Sequence, residues 1–114
     1  MIFTVDCGTL SFEPINFAKK KNIDVIVIDH HQSEIDLPQA HSIINPNRHD
    51  DVSELNYLCA SGVSFMFLVA LNKSLREKNW FKENSINEPN LINFLDLVSL
   101  GTVCDVVPLI SLNR

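Results

Sequence analysis

The chain has 114 residues, of which 46% are hydrophobic and 20% are charged. This length supports one small domain, and this hydrophobic fraction supports a packed core and argues against a disordered chain. The formal net charge of −5 provides no sequence-wide basic surface for nucleic acid, and three cysteines without CxxC spacing provide neither a disulfide framework nor a zinc ribbon.

The first half of the chain alternates between strand and helix patterns. Ile2–Val5 is a short run of β-favouring residues, and residues 13–22 have helical character, with Pro14 suited to the first turn and lysines suited to the last. Residues 24–28 form an almost unbroken aliphatic run, which is typical of a strand buried on both faces of a parallel sheet. Ser42–Ile44 is predicted to be a third strand, stopped by an Asn-Pro-Asn turn sequence. Strand, helix and strand at this spacing form a right-handed crossover, so we predict an α/β fold with a mainly parallel sheet flanked by helices.

The second half of the chain is predicted to be helical. Ser61 is suited to cap a helix that runs to about residue 78, and a second helix is predicted over residues 89–100, opened by a proline. The polar residues 77–90 between them are predicted to be a surface loop. Neither a signal peptide nor an apolar run of membrane-spanning length is present, so we expect a cytoplasmic protein without a membrane partner.

Ionisable side chains directly follow two of the predicted strands. Asp6 follows the first strand, and Asp29, His30 and His31 follow the second. In an open parallel sheet, ligands collect outside the carboxyl ends of the strands, and neighbouring strands lie about 4.8 Å apart, so these side chains are expected to meet. Two carboxylates this close repel each other unless they are protonated, solvated or bridged by a cation. Oxygen and imidazole ligands without thiolates favour Mn²⁺, Mg²⁺ or Zn²⁺.

Five short segments, which together span nearly the whole chain, carry a resemblance to a known family. They are "VDCG" at residues 5–8, "IDHH" at 28–31, "INPNR" at 44–48, "ASGVSF" at 60–65 and "LDLVSLGTVCDVVPL" at 95–109. In this order they resemble the DHH phosphoesterases, and they look most like the RecJ branch of single-stranded-DNA exonucleases. The resemblance implies a partial DHH phosphoesterase domain over residues 1–114 that hydrolyses phosphodiester bonds of single-stranded DNA, in the 5′-3′ direction, with Mn²⁺ or Mg²⁺. It also implies a place in DNA repair and recombination.

The matched motifs imply a role for individual residues. Asp6 corresponds to the aspartate that bridges two metal ions in this family, and His30 and Asp105 correspond to ligands of one of these ions. Asp29 is expected to orient the histidines, because a carboxylate beside an imidazole fixes its tautomer. His31 is expected to act in catalysis by donating a hydrogen bond to a substrate phosphate oxygen.

Two further groups of residues have a structural and a functional interpretation. Ser61 and Gly62 stand near the predicted start of a helix, where backbone N–H groups can hold a phosphate, although a plain N-cap is the simpler role for Ser61. Asn45, Asn47 and Arg48 either line the site or form a turn.

Parts of the family pattern do not occur in these 114 residues. Family members carry an earlier strand with a DxD motif that supplies ligands to both metal ions, and a later domain that grips the substrate. We therefore expect a chain that is inactive alone, or one that works with a separate chain carrying the first strand. Two other hypotheses are a non-catalytic remnant of a broken gene and a phosphoesterase that acts on small phosphorylated substrates.

Overall fold

Three parallel strands form the centre of the fold. The computed structural model describes residues 1–114, and its strands are β1 (Ile2–Val5), β2 (Val25–Ile28) and β3 (Ser42–Ile44), which lie side by side in that order. Val5 lies opposite Ile28, and Ile28 lies opposite Ile44, so the three strands end level with one another. The residues that directly follow the strands are therefore neighbours at one edge of the sheet.

Helices cover both faces of this sheet. The α-helices are α1 (Phe12–Lys20), α2 (Ala60–Glu77), α3 (Trp80–Glu83) and α4 (Leu95–Cys104), and two short 3-10 helices span Leu91–Phe94 and Ser111–Asn113. Successive side chains of a strand point to opposite faces. Accordingly, Val27 of β2 packs with Ile15 of α1 on one face. Ile28 packs with Val63 of α2 on the other face. The predicted α/β class, with a parallel sheet flanked by helices, is confirmed.

The first helix ends two residues earlier than the sequence pattern predicts. The pattern predicts a helix over residues 13–22, and α1 ends at Lys20 with Lys21 as its C-cap. Asn22 has a φ of 55°, in the left-handed region, which asparagine tolerates better than most residues do. A helix cannot continue through this conformation, so Asn22 stops α1.

The start of α2 also differs from the prediction. The helix begins at Ala60 and has Cys59 as its N-cap, so the predicted capping role of Ser61 is wrong. The cysteine takes the cap position because its backbone is extended, with φ −77° and ψ 170°, while Ser61 already lies inside the helix.

The region between α2 and α4 contains more helix than the sequence suggests. α3 lies within residues 77–90, which the sequence predicts to be a loop. The helix predicted over residues 89–100 begins instead as a 3-10 turn, where the side chain of Asn90 accepts a hydrogen bond from the N–H of Ile92 at 3.2 Å. Asparagine supplies this cap, whereas the preceding proline has no such acceptor in its side chain.

α4 packs against the start of α2 through close backbone approach. A Cβ atom on Gly101 of α4 would lie 2.3 Å from Ser61 Oγ, which is too close for any side chain. Ser61 Oγ also lies 3.4 Å from the carbonyl oxygen of Val98, to which it donates. These contacts hold the last turn of α4, and with it the C-cap residue Asp105, beside the carboxyl ends of the strands.

Burial is uneven across the molecule. Only 18 of the 114 residues are buried, so much of the apolar surface faces outward. β1 is an edge strand, and its residues Ile2, Phe3 and Val5 are about half exposed. None of the helices has both the length and the apolar character needed to cross a membrane.

Candidate metal centre

Two carboxylates face the two ring nitrogens of His30. Its Nε2 atom lies 3.2 Å from Asp6 Oδ1, and its Nδ1 atom lies 3.4 Å from Asp105 Oδ2. The imidazole is held firmly, with 13% of the side chain exposed, whereas both carboxylates are open to solvent. The structure therefore brings together the three residues that the sequence analysis names as metal ligands, and their role as ligands stays a prediction.

Both carboxylates stand where the chain turns sharply out of an element. Asp6 has a φ of 64°, a left-handed conformation that aspartate adopts more readily than most residues, and its N–H still donates to the carbonyl oxygen of Ile28 at 2.9 Å. Asp105 is followed by Val106, whose φ of 55° is unusual for a β-branched residue. The turns direct both side chains toward His30 rather than along the strand or the helix.

His31 belongs to the same cluster and is held by Asp29. Asp6, His30 and His31 each offer a ligand atom, and these atoms lie within 4.8 Å of one another. His31 Nδ1 lies 2.7 Å from Asp29 Oδ1, which is the contact that an orienting role of Asp29 requires. Burial raises the pKa of Asp29, but the hydrogen bonds from the His31 ring and from backbone N–H groups lower the pKa more, to well below its usual range. The bond to Asp29 raises the pKa of His31.

Thr9, which the sequence does not single out, and Asn45, which the sequence leaves open as a site or turn residue, support Asp29 from inside the fold. The N–H of Thr9 donates to Asp29 Oδ2 at 3.0 Å, and Asn45 Nδ2 donates to Thr9 Oγ1 at 2.8 Å. All three side chains are buried. The one signal available in the sequence is positional, because Asn45 directly follows β3 as Asp29 directly follows β2.

Ser61 and Gly62 lie beside the cluster, in the first turn of α2. Ser61 lines a cleft of about 400 Å³ together with Asp6 and Asp105. Ser61 Oγ lies 3.0 Å from the sulfur of Cys59, and Thr102 Oγ1 lies 3.6 Å from it. Burial raises the pKa of the Cys59 thiol, but hydrogen bonding, with the Ser61 hydroxyl first, outweighs that effect and lowers the pKa. Phosphate binding by Ser61 and Gly62 stays a prediction.

The donor set fits a divalent cation. Carboxylate oxygens and imidazole nitrogens without thiolates suit Mn²⁺ and Mg²⁺. Asp6 and Asp105 place two negative charges around one imidazole, and a cation relieves the repulsion between them. A histidine that binds a metal ion uses one ring nitrogen and pairs the other with a carboxylate or carbonyl group. Asp6 and Asp105 face different ring nitrogens of His30, so in this arrangement one carboxylate can share an ion with the ring while the other pairs with the second nitrogen.

Comparison with known proteins agrees with the motifs. The family model of the DHH family, N-terminal domain, matches residues 1–102. The chain is 48% identical to the single-stranded-DNA-specific exonuclease RecJ of Salmonella typhimurium and 46% identical to RecJ of Escherichia coli, in each case over 100% of this chain and 20% of the relative. The chain thus spans about a fifth of the length of these relatives. A crystal structure of exonuclease RecJ bound to manganese superimposes with a TM-score of 0.71 and 28% identity, over 98% of this chain and 26% of that chain. The chain belongs to the DHH family, and within it the chain is similar to the RecJ exonucleases.

Proposed function

We propose that the cluster of Asp6, His30, His31 and Asp105 at the ends of the strands is part of a metal-dependent phosphodiesterase site of the RecJ type, which acts on single-stranded DNA. One observation carries this proposal: Asp6, His30 and Asp105, which are far apart in the sequence, converge at the carboxyl ends of a parallel sheet. Relatives that align with the whole chain are named single-stranded-DNA-specific exonucleases, which supports the substrate class.

Asp6, His30 and Asp105 are proposed to hold Mn²⁺ or Mg²⁺. The similar RecJ structure is described as bound to manganese, and the donor set of this chain suits the same ion. A bound divalent cation would supply a lowered pKa for water and stabilisation of negative charge on phosphate. The protein supplies the geometry, because β1, β2 and α4 each present one of the three side chains.

His31 and Asp29 are proposed to act on the substrate as a pair. The buried Asp29 carboxylate holds the His31 ring by its Nδ1 atom, so the ring cannot rotate away from Asp6 and His30. In its protonated form this ring has a second N–H group, on Nε2, that can donate to a phosphate oxygen. A donor held at this place before the reaction stabilises the charge that develops on phosphate, without reorganisation during the reaction.

A polypeptide of these 114 residues is proposed to have little exonuclease activity by itself. One group of three side chains, Asp6, His30 and His31, has its ligand atoms within 4.8 Å of one another, which supports ligands for one ion and not for two. Two-metal hydrolysis holds two ions roughly 3.5–4 Å apart, and the removal of one electrostatic stabiliser costs about 10²–10³-fold in rate. The net charge of −5 also weakens the grip on a polyanionic strand. A segment that carries a DxD motif is proposed to complete the site.

Degradation of 5′-labelled single-stranded DNA in the presence of Mn²⁺ tests this proposal. The chain would be assayed alone and with a peptide that carries a DxD motif, and compared with the double variant Asp6→Ala, Asp105→Ala. Asp36→Ala is the matched control, because Asp36 is an exposed carboxylate outside the cluster. We expect slow degradation by the chain alone, faster degradation with the peptide, and none by the double variant.

Two outcomes would contradict the proposal. Equal rates for the natural chain and the double variant would show that the cluster takes no part in hydrolysis. Cleavage of a dinucleotide without any cleavage of longer strands would favour the phosphoesterase that acts on small phosphorylated substrates.

A further inference from the structure

We infer that Asn45 and Asn47 are positioning residues for the His30–His31 pair, and that the loop after β3 thereby sets the affinity of the site for its metal ion. This inference rests on the proposed metal site and assigns to two residues a role that acts through the histidines. It is carried by the hydrogen bonds of the His30 and His31 peptide groups.

The two backbone N–H groups of the pair are held from one side by a single carboxylate. Asp29 Oδ1 accepts from the N–H of His30 at 2.8 Å and from the N–H of His31 at 3.3 Å. The backbone at this point is outside any strand or helix, so no neighbouring strand provides these acceptors. Asp29 replaces the acceptors that a longer strand would have found in the sheet.

The two carbonyl groups of the pair are held from the other side by the two asparagines. Asn47 Nδ2 donates to the carbonyl oxygen of His30 at 2.5 Å, and Asn45 Nδ2 donates to the carbonyl oxygen of His31 at 2.9 Å. All four backbone polar groups of the two histidines are therefore bonded to side chains. This pattern fixes the backbone of a segment that has no secondary structure of its own.

The asparagines are held in turn by the fold. Asn45 is buried, its Nδ2 atom also donates to Thr9 Oγ1, and its Oδ1 atom accepts from the N–H of Asn47 at 2.8 Å. Pro46 lies between the two asparagines, and its restricted φ limits the conformations of the segment that places Asn47 beside His30. The level ends of β2 and β3 place Asn45 beside Asp29, where it can reach the histidine backbone.

The chemistry requires an amide at both positions. The groups to be held are carbonyl oxygens, which need donors, and a carboxylate has none. An aspartate at position 47 would keep the size of the side chain but would direct an acceptor at the His30 carbonyl oxygen. The resulting shift of the His30 and His31 backbone would move both imidazoles away from Asp6, and a ligand misplaced in this way binds metal less tightly.

Calorimetric titration with Mn²⁺, combined with thermal unfolding in the absence of metal, tests the inference. Asn47 is the residue to change, because it is only partly buried and its replacement leaves the inner hydrogen bonds of Asn45 to Thr9 in place. We expect Asn47→Ala and Asn47→Asp to weaken Mn²⁺ binding about 10–100-fold, with the larger effect for Asn47→Asp. Asn87→Ala, at an exposed asparagine far along the chain, should bind Mn²⁺ as the natural chain does.

A core variant separates positioning from general loss of stability. Val63→Ala removes buried volume from the cluster between α2 and the sheet, so it should lower the unfolding midpoint and leave Mn²⁺ affinity within about twofold. If Asn47→Ala weakens binding no more than Val63→Ala does, Asn47 has no positioning role and the inference is wrong. A loss of affinity in Asn47→Ala beyond that of Val63→Ala supports it.

The same titrations distinguish this inference from the proposed function. If His30→Ala binds Mn²⁺ as tightly as the natural chain, the metal site itself is wrong and the positioning role falls with it. If His30→Ala loses binding while both Asn47 variants keep it, the metal site stands and only the positioning role is wrong.

Discussion

The residues that follow β2 and β3, which include Asp29, His30 and Asn45, form the strand-end segment. This segment and α4 both contribute to the candidate site, but they are held in different ways. At the strand ends, Asp29 and Asn45 are 2% and 3% exposed, and each makes several hydrogen bonds. On α4, by contrast, Leu97 and Leu100 are 59% and 60% exposed, and Thr102 is the one buried residue of the helix. The site therefore joins a rigid half that carries His30 with a loosely packed half that carries Asp105.

This contrast shows that apolar content is a poor guide to which half fixes the geometry. α4 is strongly hydrophobic, yet it packs mainly through small residues, such as Gly101 against Ser61. The strand-end segment is polar, yet it is fixed because its donors and acceptors are paired away from water, where an unpaired group is costly. The position of His30 follows from hydrogen bonds, and the position of Asp105 follows from the few contacts between α4 and the start of α2.

The largest effect is expected in the rigid half. Asp29→Ala would leave the N–H groups of Thr9, His30 and His31 without their acceptor, so we expect the free energy of unfolding to fall by about 4 kcal/mol. Urea unfolding of the metal-free protein measures this change. Asp24→Ala is the control, because Asp24 is an exposed carboxylate, and its effect should stay within about 0.5 kcal/mol. Equal effects of the two variants would remove the contrast between the halves.

A smaller effect is expected where α4 meets α2. Gly101→Ala would place a Cβ atom 2.3 Å from Ser61 Oγ, so α4 must move away, and overpacking of this kind costs about 2 kcal/mol. Asp105 is the C-cap of α4 and would move with the helix, so Mn²⁺ binding should weaken as well. Unfolding and titration would be compared with Ser99→Ala, an exposed position on the same helix. Should Gly101→Ala behave as Ser99→Ala does, the close contact is not what holds α4.

The exposed face of α4 should tolerate change. Leu97→Ala removes a side chain that is largely in water already, so the free energy of unfolding should change by less than about 0.5 kcal/mol. Val27→Ala in β2, where the side chain is fully buried, should cost about 2 kcal/mol. A comparable loss in both variants would mean that the α4 face is covered in solution.

The smallest effect concerns an exposed ion pair that ties α2 to the segment before α4. The hydrogen bond from Arg76 lowers the pKa of Glu88 below its usual value of 4.5. The stabilisation from this pair is therefore present above that value and is lost as the pH falls through the lowered pKa. Unfolding midpoints of the natural chain and of Glu88→Gln would be compared from pH 7 to pH 3. The difference should be small at pH 7 and should vanish at the acid end, and a difference that grows on acidification would contradict this assignment.

The sequence predicts the sheet well and the helix starts less well. Aliphatic runs ended by turn residues indicate β1, β2 and β3, because burial in a parallel sheet imposes that pattern locally. The start of α2 at Ala60 and the 3-10 turn before α4 depend on which residue takes the cap position, Cys59 and Asn90 respectively, whereas residue type alone favours Ser61 and Pro89 as the residues that open these helices.

For the candidate site, the sequence predicts the meeting of Asp6 and His30, because parallel strands bring their carboxyl ends to one edge. The position of Asp105 follows from the family motif alone. The bonds of Asn45 and Asn47 to the histidine carbonyl groups were not predictable, because an Asn-Pro-Asn sequence fits a turn equally well. Only the level ends of β2 and β3 show which backbone groups these amides can reach.

The arrangement of Asp6, His30 and Asp105 also bears on the folding of the chain. Asp6 and Asp105 are far apart along the sequence, so an ion bound at this site would join distant segments of the chain. The unfolded chain would give up that ion, and ligand binding to the folded state alone stabilises it by about 2.7 kcal/mol at a free concentration of 100 times Kd. Metal availability would then contribute to the stability of this fold, in addition to the role proposed for the ion in hydrolysis.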